Sequence, residues 1–202
     1  MVLRKNEKLE VNDSVYIEPL SHATLKQASS LANAVFESEP GIRPSEEFSA
    51  SLGQDPEISK KMEEKKIKKI EYWVAVHENK RTGEKKVVGT TGLYIDLNEY
   101  PFIKNSPHEP EKARWLGWYC VDPQLRGKGI GTALLKHTIN LAQKQGAKFL
   151  RLYTSTHSSE KIAQTVYRNL GLKIIHVDPK KHIDNKGEEY QLVYRELKLA
   201  DT

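Results

Sequence analysis

The sequence predicts an α/β fold of mixed type: a central, mixed and mostly antiparallel sheet with helices on both faces. Three observations predict it. Apolar residues alternate or cluster in short runs of strand character. Stretches of helical spacing separate some of those runs and not others. Glycine and proline punctuate the boundaries. The order reads β-α-α-β-β-β-α-β-α-β-β, which sets antiparallel hairpins beside a β-α-β-α-β half.

Residues 14–20, SVYIEPL, alternate as a first strand. Ser21 is placed to cap a helix running to Phe36. PGIRPS at 40–45 breaks that helix, and Glu46 and Glu47 favour a new start through the helix dipole. A second helical stretch, split near Gly53 and Pro56, runs to Ile70. EYWVAVH at 71–77 and VVGTTGLYI at 87–95 form a hairpin across a polar turn. Residues 97–113 hold three prolines and little periodicity, an excursion of the length that is often functional.

RWLGWYCVD at 114–122 is almost continuously apolar, the pattern of a central strand buried on both faces. Ile130, Leu134, Thr138, Leu141 and Ala142 repeat at helical spacing, and Gly146 supplies the stop. FLRLYT at 149–154 is the next strand. Ser158 and Ser159 are placed to cap a helix through Ile162, Ala163, Val166, Tyr167 and Leu170, which Gly171 ends. LKIIHV at 172–177 and YQLVYREL at 190–197 close the chain. The last is expected to be an edge strand, able to pair across a homodimer.

Composition removes several classes of function. The chain has 202 residues, 38% of them hydrophobic, and a mean hydropathy of −0.64. That is enough for one domain with a full core, and we read 1–202 as a single domain. No apolar run reaches the ~18 residues of a membrane span, so no membrane partner is expected. The opening MVLRKNEKLE carries charge without an apolar signal core. Together with a lone cysteine, Cys120, this predicts a protein of the reducing cytoplasm. The net charge of +5 lies in runs such as KKMEEKKIKK at 60–69, where acids interleave with bases. That run reads as a solvated helix face, and no nucleic-acid partner is expected. The seven histidines are scattered without HExxH spacing, so no metal site is expected.

The stretch with the most chemistry is VDPQLRGKGIGTALL, residues 121–135. A strand that ends in a glycine-rich turn and feeds a helix is a phosphate-binding geometry. The first backbone N–H groups of a helix have no partner within it and carry a partial positive charge. A phosphate there accepts several N–H bonds at once. Gly127, Gly129 and Gly131 keep Cβ atoms away from a bulky anion, while Arg126 and Lys128 add charge. Ile130 and Thr132 complete the run of amides. A Walker loop is excluded, because Gly129 follows Lys128 where Ser or Thr is required. A dinucleotide fingerprint is excluded by glycine spacing and by the lack of an acid at the end of the next strand.

What remains is R-x-x-G-x-G, matched by Arg126, Gly129 and Gly131. This segment resembles the acetyl-CoA diphosphate loop of the GNAT superfamily of N-acetyltransferases. The resemblance continues through AQTVYRNLGLKI at 163–174 and covers about 71–174, with the cofactor-binding half at about 114–177. It implies a GNAT-like domain whose fourth and fifth strands splay apart. The pantetheine arm of acetyl-CoA would enter that gap and pair with backbone at Tyr119, Cys120 and Val121. The diphosphate would meet the amides from Arg126 to Thr132.

The implied activity is transfer of acetyl from acetyl-CoA directly to a primary amine of a small molecule or peptide. The amine must be neutral to attack. For an amine of pKa about 10.4, deprotonation at pH 7 costs about 4–5 kcal/mol. Expulsion of the thiolate is helped by an acid, and the resemblance implies Tyr167 for that role. One departure stands out. Many family members carry Asn seven residues before the tyrosine, where this chain has Glu160. No spacing selects the general base among Glu71, Asp96 and Glu99. The alternative reading is a non-catalytic module of the same fold, binding acyl-CoA or a protein partner. The parts that choose the acceptor, at 38–70 and 97–113, match the family least.

Overall fold

A computed structural model describes residues 13–37, 42–103 and 110–200. The strands are β1 (Asp13–Pro19), β2 (Ile67–Asn79), β3 (Lys85–Asp96), β4 (Ala113–Val121), β5 (Phe149–Ser155), β6 (Lys173–Ile183) and β7 (Glu189–Lys198). The helices are α1 (His22–Val35), α2 (Pro44–Ser51), α3 (Pro56–Glu64), α4 (Ile130–Lys144) and α5 (Lys161–Asn169). The strands hydrogen-bond in the order β1-β2-β3-β4-β5-β7-β6. The sheet is mixed: β1 is antiparallel to β2, β4 is parallel to β5, and β7 is antiparallel to both β5 and β6. The parts of the expected excursion at 104–109 and of the helix break at 38–41 lie outside the described residues.

The chain divides into two compact units. The first comprises the described parts of Met1–Lys61, Glu71–Gly92 and Trp118–Leu134. Here α1 starts as its sequence predicts, with the Ser21 amide donating to Thr24 Oγ1 at 3.1 Å. The start of α2, at Pro44, falls inside the stretch expected to break the helix. Pro44 takes the first turn, and Glu46 reaches back to accept from the Arg43 amide at 2.7 Å. Asn33 ties the two helices, accepting from the Ser45 amide and donating to its hydroxyl. A buried cluster of Ala75, Val88, Val121, Leu125, Ile130 and Leu134 forms a core of this unit.

The second unit comprises the described parts of Met62–Ile70, Leu93–Gly117 and Leu135–Thr202. It corrects three expectations. The run at 60–69 is not one helical face: α3 ends at Glu64, and β2 begins at Ile67. Lys66 and Lys69 take φ of +61° and +51°, which breaks the helix and kinks the new strand. β7 is not an edge strand, because β6 folds back outside it and covers its free side. Pairing of β7 across a dimer therefore loses its basis. Ser158 and Ser159 do not cap α5; they lie in a short 3₁₀ turn, and Glu160 stands at the helix N-cap.

A polar clasp closes one end of this unit. The Ser159 amide donates to His157 Nδ1, which leaves Nε2 to donate to Asp184 at 3.2 Å. Glu188 accepts from the amide and the hydroxyl of Ser158, each at 2.7 Å. The clasp fastens the β6–β7 turn to the segment between β5 and α5. His157 is therefore half-buried in a network.

Candidate cofactor loop and associated residues

The glycine loop lies in the first unit and is held at both ends by apolar anchors. Leu125 and Ile130 are buried in the core cluster, while residues 126–129 between them are exposed. The entry is fixed by Asp122, whose amide donates to the Val88 carbonyl at 2.9 Å. Asp122 also accepts from the Gln124 amide at 3.0 Å and pairs with Lys86 at 3.2 Å. Burial of two side chains and bonding of one acid thus present a short stretch of backbone outward.

Gly127 and Gly129 take φ of +79° and +82°, a region costly for any residue with a Cβ, and open space surrounds both Cβ positions. The first bond of α4 runs from the Ala133 amide to the Gly129 carbonyl at 2.9 Å. Among the described residues, the amides of Gly127 to Thr132 donate to no protein acceptor. Several aligned donors at the positive end of a 15-residue helix are therefore open to an anion.

The candidate residues of β4 adjoin this loop. Arg126 Nε donates to the Val121 carbonyl at 3.3 Å, folding the guanidinium over the strand end. The Tyr119 phenol reaches the start of α4 at Gly131. Cys120 is buried and lies 3.2 Å from Thr90 Oγ1. Burial pushes its thiol up to about 11. Trp118 interrupts the strand with φ of +23°, and Thr90 Oγ1 donates to its carbonyl at 2.6 Å.

Sequence reasoning missed one residue here. Glu47 is buried, and it accepts from Tyr72 Oη at 2.6 Å and from Trp118 Nε1 at 2.5 Å. It looked like a charge at a helix start. No local signal marks it, because its partners lie far along the chain.

The remaining candidates belong to the second unit. Tyr167 is buried on α5. Nearby in that unit, Arg195 donates to Gln164 Oε1 and to the Leu172 carbonyl, and burial lowers its pKa. Glu160, at the position of the family asparagine, is bonded to the end of β5. It accepts from the hydroxyls of Thr154 and Ser155 and from the Ser155 amide. Its carboxylate fixes the strand end, which accounts for the departure in structural terms. Among the potential bases, Glu71 and Glu99 are exposed, and Asp96 is buried. The parallel pairing of β4 with β5 covers Ala113–Trp115 and Phe149–Arg151.

Comparisons with known proteins identify the family and the fold. The sequence profile of the acetyltransferase (GNAT) family matches residues 34–172. The chain belongs to that family. Solved structures share its fold at low identity. An N-acetyltransferase from Staphylococcus aureus Mu50 superposes with a TM-score of 0.65 at 16% identity, covering 93% of this chain and 99% of that one. The ribosomal-protein-S18-alanine N-acetyltransferase of Escherichia coli gives 0.62 at 16% identity, with 94% and 96% covered. NAA60 of Arabidopsis thaliana, solved in complex with acetyl-CoA, gives 0.67 at 14% identity, with 92% and 98% covered. No curated protein matches the sequence significantly. Among the described residues, no helix is long and apolar enough to cross a membrane.

Proposed function

We propose that this protein transfers acetyl from acetyl-CoA directly to a primary amine, and that 1–202 act as one acetyltransferase domain. The observation that carries the reading is the set of open amides from Gly127 to Thr132 at the head of α4. In the proposal they hold the cofactor diphosphate, and Arg126 and Lys128 add charge-assisted contacts. The pantetheine arm pairs with the backbone of Tyr119, Cys120 and Val121 as an added strand would. Tyr167 protonates the departing thiolate; this role rests on the family pattern around it. A lone buried cysteine supports a cytoplasmic setting.

The attacking amine adds to the thioester carbonyl, the intermediate expels coenzyme A as its thiol, and the amine proton leaves to solvent or a base. Calorimetry with coenzyme A tests the first half, and thiol release across an amine panel tests the second. Binding at micromolar levels and turnover on at least one amine are expected. Binding without turnover on any acceptor supports the non-catalytic module. No binding at millimolar coenzyme A removes the reading altogether.

A further inference from the structure

The second unit contains a buried acid bonded by neutral donors. Asp96, at the end of β3, is only 4% exposed. Its Oδ1 accepts from the amide and the side-chain nitrogen of Asn98, each at 2.8 Å, and its Oδ2 accepts from Tyr100 Oη at 2.6 Å. All these donors are neutral. Among the described residues, Asp96 has no cationic partner. A carboxylate removed from water is costly unless an opposite charge meets it. Burial first, and the bond to Asp96 second, raise the Tyr100 phenol, so Tyr100 remains a neutral donor.

Asp96 also lines a cavity of about 360 Å³, together with Tyr94, Tyr100, Tyr153 and Lys65. The volume falls in the range of small-ligand sites. Three phenol side chains and one carboxylate converge on it. Tyr153 is 53% exposed, so its ring is available at the opening. Tyr100 is backed by Trp115 at 5.1 Å and Phe102 at 5.5 Å between ring centres, which fixes its orientation. Aromatic faces beside a carboxylate suit an organic cation, which each face attracts by its quadrupole. Lys65 is exposed and forms no ion pair with Asp96 among the described residues, so that lysine does not neutralise the acid that lines the cavity.

We propose that this cavity binds the ammonium group of an acceptor that carries a second, distinct amine, such as a linear aliphatic diamine. The identity of the acceptor rests on the acetyltransferase reading; the binding of an alkylammonium does not. An ammonium held by Asp96 stays protonated and cannot be the nucleophile. The site therefore selects molecules with two amines, one held and one acetylated.

The test is titration of the full-length protein, without cofactor, with n-butylammonium and with n-butanol, followed by NMR shifts of the tyrosine rings. Butylammonium is expected to bind about tenfold more tightly than butanol. Asp96→Asn is expected to lose about that factor, and Tyr153→Ala, at an exposed ring, to weaken binding severalfold. Equal binding of butanol, unchanged affinity in Asp96→Asn, or no shift with butylammonium overturns the proposal. Should Asp96→Asn fail to fold, the butanol comparison and Tyr153→Ala decide it. Thiol release then separates the two readings. A preference for diamines over monoamines that Asp96→Asn or Tyr153→Ala abolishes, with the KM for acetyl-CoA unchanged, supports the acceptor assignment. Thiol release equal for both amine classes overturns that assignment and leaves the enzyme. No thiol release from any amine overturns the enzyme reading, and butylammonium binding still decides the cavity.

Discussion

Gly131 lies against Tyr119: a Cβ built on the glycine would stand 2.6 Å from the phenol oxygen and 3.5 Å from the ring carbon that bears it. The third glycine of the loop thus answers a different need from the other two. Gly127 and Gly129 supply backbone angles, whereas Gly131 lets the first turn of α4 close onto β4. Gly131→Ala is expected to destabilise the protein by about 1–3 kcal/mol, the usual cost of overpacking. Removing the oxygen in Tyr119→Phe should recover most of that loss, since the ring carbon is at ordinary contact distance. Urea unfolding of the two single variants and the double variant reads the coupling. Purely additive effects would show that the crowding is relieved elsewhere.

Glu47 joins two chain segments that the sequence keeps apart, through Tyr72 and the indole of Trp118. Bonds to a charged acceptor in a buried setting are worth more than neutral ones. Glu47→Ala removes that acceptor from both donors and is expected to cost about 2–4 kcal/mol in stability. Glu47→Gln keeps one oxygen and should cost less. Thermal unfolding of the two variants checks the ranking. Equal, small losses for both would place the network outside the cooperative core.

The extent to which this structure could be read from sequence follows the range of the interactions involved. The glycine-rich turn between strand and helix was legible because glycine spacing and the charges of Arg126 and Lys128 are local; the positive φ of Gly127 and Gly129, the separate role of Gly131 and the buried anchors Leu125 and Ile130 were not read from it. Strands β3, β4 and β5 were legible from alternation or continuous apolar runs. The start of β2 was not, because lysines at 66 and 69 adopt positive φ without any residue that favours it. The interior position of β7 was not, because order along the chain does not fix order in the sheet. The burial of Glu47 and of Asp96 was invisible for a related reason. An acid reads as solvated until its distant or irregularly placed partners are known.

The clasp between the β6–β7 turn and the residues before α5 should be sensitive to acid. The Glu188 amide, then the Lys186 amide and His157, hold the Asp184 carboxyl below its ordinary value. The hydroxyl and amide of Ser158 do the same for Glu188. Groups with depressed pKa contribute stability above their unfolded values, near pH 4, and lose it as pH falls through the folded ones. The turn is therefore expected to stay closed at pH 6 and to loosen progressively below pH 4. Amide exchange at residues 184–188 measures it. Protection should fall on acidification in the wild type and be low at both pH values in Asp184→Asn. Protection independent of pH in the wild type would show that the clasp contributes nothing.

Tyr167 is the residue whose role the family pattern assigns most specifically, and its burial on α5 suits a core aromatic as well as an acid. The two roles predict different kinetics. A phenol that protonates the leaving thiolate acts only in the transition state, so Tyr167→Phe should lower kcat by about 10²–10⁴-fold. The KM for acetyl-CoA should change little, because the ring is retained and the diphosphate grip lies elsewhere. A thioester with a more acidic thiol needs less help in leaving, so the variant should recover part of its rate on such a substrate. A packing role gives the opposite result: lower melting temperature, kcat near wild type, and no dependence on the leaving thiol. Steady-state rates with acetyl-CoA and an activated acetyl thioester, alongside a melting curve, separate the two, and an unchanged kcat at saturation removes Tyr167 from the chemistry.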